Sequence, residues 1–176
     1  SDGHIRPGLI AVANRLVDVP AVIVTDLGEV VWQNPLGRIL LADLPEEPGR
    51  GRNLIWRWFE DPRSRPMPEE DWSRISASHV SDLRATYARR SRDRRVREFV
   101  ADLIAISDEF AELWAQHEVA VRRSDIKVFT SRELGRLEFR CEVLLTADDD
   151  ISLLVFLPLE GTETASRLEL LGVVGT

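Results

Sequence analysis

The hydrophobic period changes twice along this chain, and that change restricts the fold more than any single motif does. Short β-branched runs near the start give way to a long stretch of helical spacing, and from Val119 apolar residues alternate with polar ones. A period of about 3.6 marks helices with one apolar stripe, and a period of 2 marks half-buried strands. A chain that opens with strands, passes through helices and closes with strands must bury an apolar sheet face under those helices.

Pro7 suits a first helical turn, and Leu9, Val12, Ala13 and Leu16 recur at helical spacing up to Asp18. Pro20 ends that pattern. Ala21 to Thr25 and Val30 to Gln33 are strands of a hairpin turned by Asp26-Leu27-Gly28-Glu29. Asn34-Pro35 sets a favoured N-cap before a favoured first helical residue, so a short helix springs directly from the second strand. Leu44 to Arg52 reads as a loop, and Asn53 caps a helix over Leu54 to Glu60 that ends at Asp61-Pro62. Pro66 to Asp71 starts a longer helix with Trp72, Ser76, His79, Leu83 and Tyr87 along one face. Arg89 to Arg97 reads as a charged link. Val96 to Ile106 resumes the helical period, and Ser107 caps a last helix with Phe110, Leu113, Trp114 and His117 on its inner face.

Val119 to Phe129, interrupted over Arg122 to Asp125, is a strand candidate. Leu137, Phe139, Cys141, Val143 and Leu145 alternate with Glu138, Arg140 and Glu142 as in a half-buried strand. Ile151 to Leu157 is a mostly apolar central strand, and Arg167 to Leu171 a closing amphipathic element. The expected fold class is α+β: a five-stranded antiparallel sheet with helices on one face and a long helical insert between strands 2 and 3, which is a PAS-like order. Residues 1–19 are expected to be a linker and helix toward a DNA-binding domain, and residues 20–176 the PAS-like ligand-binding domain.

Composition excludes several function classes. With 176 residues the chain can bury a real core, and a formal charge of −7 is the wrong sign for gripping phosphates unaided. All but Lys127 of its 23 basic residues are arginine, which reads as the signature of a GC-rich genome. One cysteine, Cys141, rules out an internal disulfide framework and fits a reducing cytoplasm. His4, His79 and His117 are far apart in sequence without metal-ligand spacing, and phosphate loops and nucleophile turns are absent, so no metal, cofactor or catalytic set is expected. No apolar run approaches the roughly 20 residues that span a bilayer.

The strings VVWQNPLGRILLAD (Val30 to Asp43), RNLIWRWFEDPRSR (Arg52 to Arg65), DEFAELWAQHEVAVRRSDIKVF (Asp108 to Phe129) and LGRLEFRCEVLL (Leu134 to Leu145) stand in the order of a known family. The chain resembles the MmyB-like ligand-binding domain of actinobacterial XRE-type helix-turn-helix regulators, from about Arg6 to Val174. The resemblance implies a PAS-like fold, an N-terminal helix-turn-helix domain and a cavity suited to a fatty-acid-like ligand. One departure stands out: where the family usually has His-Pro, this chain has Ser131 and Arg132.

Trp56, Phe59, Phe110, Trp114 and Phe139 are the candidate wall of an apolar pocket. By periodicity alone they read first as ordinary core, and the resemblance brings the pocket reading level with it. His117 and Arg122 are candidates for holding a carboxylate, and Cys141, pointing inward on its alternating strand, is a further ligand-binding candidate. The plainer readings are a helix C-terminal histidine, a solvated arginine and a small buried hydrophobe. Asn34 is explained as a cap, His79 as a core histidine, and the run Arg89 to Arg97 as solvated. The expected function is that of a cytoplasmic, non-enzymatic effector-sensing domain of a homodimeric transcription regulator. It would bind a small apolar or fatty-acid-like ligand, touch no membrane, and reach DNA only through its N-terminal domain. The alternative is a ligand-free dimerisation module of the same regulator, and a weaker third reading is an enzyme using His79 or His117.

Overall fold

Valine and isoleucine runs from opposite ends of the chain meet at the centre of one sheet. The computed structural model describes residues 5–42, 44–116, 124–147 and 150–174. Strands β1 (Ala21–Thr25), β2 (Val30–Gln33), β3 (Ile126–Ser131), β4 (Gly135–Leu145) and β5 (Ile151–Pro158) form a five-stranded antiparallel sheet in the order β2-β1-β5-β4-β3. This is the expected PAS-like α+β arrangement, with β1 and β5 side by side. Ala21 opposes Val155 and Thr25 opposes Ile151, so the central strands have neighbours on both edges and apolar residues on both faces.

Seven helices are seen among the described residues: α1 (Pro7–Ala13), α2 (Pro35–Leu40), α3 (Leu54–Glu60), α4 (Glu69–Arg89), α5 (Arg94–Ile106), α6 (Asp108–Ala115) and α7 (Thr164–Val174). The long insert between β2 and β3 is thus α2 to α6. Helices α3 to α6 pack chiefly on one another, whereas α2 and α7 lie closest to the strands. The inner sheet face carries Val22, Val24, Val30, Phe129, Leu137, Phe139, Cys141 and Phe156 in one cluster with Leu168 of α7. The outer face carries Ala21, Ile23, Leu153 and Val155, over which α1 lays Leu9 and the fully buried Ala13.

Several boundaries differ from those read in the sequence, among them that of α7, which spans Thr164–Val174 where Arg167 to Leu171 was expected. Helix α1 stops at Ala13, not Asp18, because Leu16 and Val19 give their carbonyls to the Asn34 side chain and are held out of a helix. The link after α4 is shorter than Arg89 to Arg97, because Asp93 accepts from the amide of Arg95 and starts α5 at Arg94. Strand β3 begins at Ile126, and the Val119 to Arg123 part of the predicted strand lies outside the described residues.

Asn34 does more than cap α2. Its Oδ1 accepts from Gly37 at 2.7 Å and Ala21 at 2.9 Å, and its Nδ2 donates to the carbonyls of Leu16 at 2.8 Å and Val19 at 2.7 Å. All its donor and acceptor capacity is spent within the protein, which joins the α1–β1 connector to β1 and α2. Gly37 is required at this junction, since a Cβ there would stand 2.6 Å from the Ala21 carbonyl oxygen.

Candidate functional site

Helix α3 is fixed by its start. The Asn53 side chain accepts from Trp56 N and donates to Leu27 O, each at 2.9 Å, which hitches α3 to the β1–β2 turn. That turn needs Gly28, with φ of 90°, and its Cα lies so near Ile55 that a Cβ would come within 3.0 Å of the side chain. About two turns of helix then send the aromatics in different directions. Trp56 packs on Phe99 and on the Arg50 guanidinium, while Trp58 and Phe59 turn into the helical body.

Phe59 meets Phe110 edge-on with ring centres 5.1 Å apart, and Phe110 stacks on Trp114 at 5.6 Å. Phe110 is set by Ser107, whose hydroxyl accepts from its amide and begins α6. Trp114 is held edge-on by Tyr87 and covered by Arg84, which also donates to the carbonyls of Leu113, Trp114 and Gln116 at the end of α6.

A polar chain pins this cluster. The Trp58 indole donates to Ser76 Oγ at 2.8 Å, Ser76 donates to Glu109 at 2.5 Å, and Arg65 pairs with Glu109 at 2.6 Å. Arg65 also donates to Trp58 O and lies over the rings of Trp58 and Trp72. Its buried charge is thus matched by a carboxylate, a carbonyl and two aromatic faces. The sequence gives little sign of this, because an Arg-rich chain offers no reason to select Arg65 among so many.

His79 stands where the helical body turns toward the sheet, with its ring 5.6 Å from Trp58 and 6.5 Å from Phe59. Burial, helped by the charges of Lys127 and Arg65, pushes its pKa down to about 3, so the imidazole is neutral near pH 7. On the sheet side, Phe129, Phe139 and Phe156 form a triangle of edge-on rings with centres 5.7 to 5.9 Å apart. Cys141 adjoins them, and burial raises its thiol to about 11, which keeps it protonated and unreactive.

The sequence-chosen residues therefore fall into two groups. Trp56, Phe59, Phe110 and Trp114 belong to the helical cluster, and Phe139 and Cys141 to the inner sheet face. Met67 packs against both. His117 and Arg122 lie outside the described residues. Ser131 closes the β3–β4 hairpin, its hydroxyl accepting from the Leu134 amide.

A concavity runs along the β2 edge, between Trp32, the 44–53 connector and the start of α5. None of the residues chosen from the sequence lines it. Its arginines are largely engaged: Arg50 with Asp102, Arg52 with the Val30 carbonyl, and Arg90 with Asp26 and Asp93. Acidic and basic groups alternate there, which gives no single charge for a ligand to complement.

Comparison with known proteins gives one family. The model of the MmyB-like transcription regulator ligand binding domain matches residues 5–171. No curated protein matches the chain.

Proposed function

The chain belongs to the family of MmyB-like transcription regulator ligand-binding domains, and from that premise we propose that it senses a small apolar or fatty-acid-like molecule held between the helical body and the inner face of the sheet. One observation carries the reading: helices α3 to α6 pack on one another more than on the strands, and the two apolar clusters face each other across that boundary with Met67 touching both. A ligand lying along this boundary would bury its surface against the Phe129, Phe139 and Phe156 rings on one side and against α3 and α4 on the other. Each methylene buried there would contribute roughly 0.8 kcal/mol.

The ligand is bound and not turned over. His79, the one histidine among the described residues, is neutral and packed against Trp58 and Phe59, and Cys141 is a protonated thiol. Among the described residues neither is shown with the partner that a general base or a nucleophile needs.

Occupancy must favour one arrangement of the intact regulator over another if it is to alter DNA binding. Strand β1 supplies a path: Val22 and Val24 touch the inner cluster, while Ala21 and Ile23 touch α1 on the outer face. Asn34 ties the same strand to the connector that follows α1. In this reading α1 is the joint to an N-terminal helix-turn-helix domain, and the regulator works in the cytoplasm as a homodimer.

The test is extraction of the purified protein with organic solvent, followed by mass spectrometry and by thermal melts across a fatty-acid series. A stoichiometric lipid, and a melting temperature that climbs with chain length, are expected. If nothing is bound and the melting temperature stays constant across the series, the domain is a dimerisation module with a filled core.

A further inference from the structure

Helix α1 carries no polar side chain. Its residues, PGLIAVA, are apolar on every side, yet only Ala13 is fully buried. A helix that is apolar all round belongs in an interior. Leu9 and Ala13 face the sheet, while Gly8, Ala11 and Val12 are exposed, Val12 over 59% of its surface. Val17, in the connector that follows, is 78% exposed.

The apolar strip continues on the sheet. Leu144 opposes Leu153, and Leu157 follows Val155 by two residues, so both stand on the outer face beside the residues that α1 covers. Leu144 is 51% exposed and Leu157 38%. A helix is about 10 Å wide and strands are about 4.8 Å apart, so α1 covers roughly two strands and leaves the outer side of β4 bare. The polar groups there are Arg136, Glu138, Arg140 and Glu142. Arg136 pairs with Glu138 and Arg140 with Asp125, which leaves Glu142 without an ion-pair partner among the described residues. Arg15, exposed just past α1, is likewise without one among them.

A surface that meets its own copy about a two-fold axis must carry both halves of every pair, because residue i meets j while j meets i. This patch holds a free acid and a free base beside an apolar strip, and a partner of single charge would leave one of them unanswered. The whole chain carries −7, so two copies repel each other except across a surface where the charges balance. Here Arg15, Arg136 and Arg140 balance Asp125, Glu138 and Glu142. Helix α1 with the bare length of β4 makes a strip of roughly 15 by 35 Å. That is about 500 Å² in projection and more in accessible surface, near the roughly 800 Å² per partner of a standard interface.

We propose that α1 and the outer side of β4 form the interface between two copies of this chain. A two-fold axis sets Arg15 of each copy against Glu142 of the other and buries Val12, Leu144 and Leu157 between them. This deepens the homodimer reading above and rests on it, while the ligand-binding part of that reading stands or falls separately. Since β1 touches both the inner cluster and α1, the contact lies on the path that would carry occupancy outward.

The test is sedimentation velocity over a concentration series, with a thermal melt of every variant. Wild type is expected to dimerise with a Kd of about 10 μM or tighter. Val12→Glu and Leu144→Glu should each weaken association by about tenfold or more, while Ile104→Glu, at an exposed apolar position of α5, should leave it unchanged. Arg15→Glu and Glu142→Arg each set like charges together and should weaken it severalfold, and the double exchange should restore it. Any variant that fails to melt cooperatively is set aside, and the remaining ones decide. Unchanged association in Val12→Glu and Leu144→Glu overturns this face but leaves a homodimer formed elsewhere. Weakening by both single exchanges without recovery in the double overturns the pairing of Arg15 with Glu142. A wild type that stays monomeric at about 100 μM overturns the face and the homodimer reading together, and leaves ligand sensing to the lipid test.

Discussion

The two apolar clusters that face each other in this domain are built differently. In the helical body, aromatic rings are stacked and then pinned by polar groups, with Arg65, Glu109, Ser76 and the Trp58 indole bonded in sequence. On the sheet, three phenyl rings meet edge-on with Cys141 and leucine beside them. Directional hydrogen bonds give the helical body one arrangement. Edge-on phenyl packing depends on contact area and tolerates small shifts more readily. On the proposed reading the helical cluster holds the fold and the sheet face meets the ligand.

The sharpest way to break this contrast is Phe110→Ala. Phe110 is fully buried between Phe59 and Trp114, so removing its ring should destabilise the protein by about 3–5 kcal/mol in urea unfolding. A cost below about 1 kcal/mol would mean that the helical cluster is loosely packed and that the ligand lies within it.

Asn34→Ala supplies a yardstick outside both clusters. A cap alone is worth about 1 kcal/mol, but four hydrogen bonds end on this side chain, two of them to the carbonyls of Leu16 and Val19. A loss of about 2–3 kcal/mol is expected in the same measurement. A loss of only the capping share would show that the α1–β1 connector does not depend on it.

Acid sharpens the role of His79. The unfolded chain holds this histidine near 6.5 and the folded chain near 3, so the unfolded state binds the extra proton in between. Its neutral form is therefore compatible with full stability above 6.5, and stability falls as pH drops from there toward 3. Urea midpoints of His79→Gln should fall less steeply over that window than those of wild type. Parallel curves would place His79 in a more solvated setting than the space between Trp58 and Phe59.

The smallest expected effect is on the sheet. Phe139→Leu should lower stability by only about 1 kcal/mol, since the cavity it leaves can be partly filled by its neighbours. Its affinity for tetradecanoate should nevertheless fall severalfold, as measured by calorimetric titration. A variant that loses stability but no affinity would move the ligand away from the phenyl triangle.

Much of the frame was legible in the sequence because local rules governed it. Asn34, Asn53 and Ser107 each cap the helix that their neighbours predict, and β1, β2 and α3 begin and end where period and turn residues place them. Local rules failed where tertiary bonds overrode them. Helix α1 ends early because Asn34, far along the chain, takes the carbonyls of its next turn. The candidate site was legible as a set of aromatics but not as two layers. Helical and strand periods show which residues turn inward without showing which layer each will join. Arg65 was hidden for a related reason: a charged residue declares its burial only through partners distant in sequence.

The central claim is the place where the ligand lies, and amide hydrogen exchange with and without tetradecanoate tests it most directly. The account predicts added protection in β3, β4 and the His79 stretch of α4, with β2 and the 44–53 connector unchanged. Protection confined to β2 and that connector would put the ligand in the groove at the sheet edge and contradict the account.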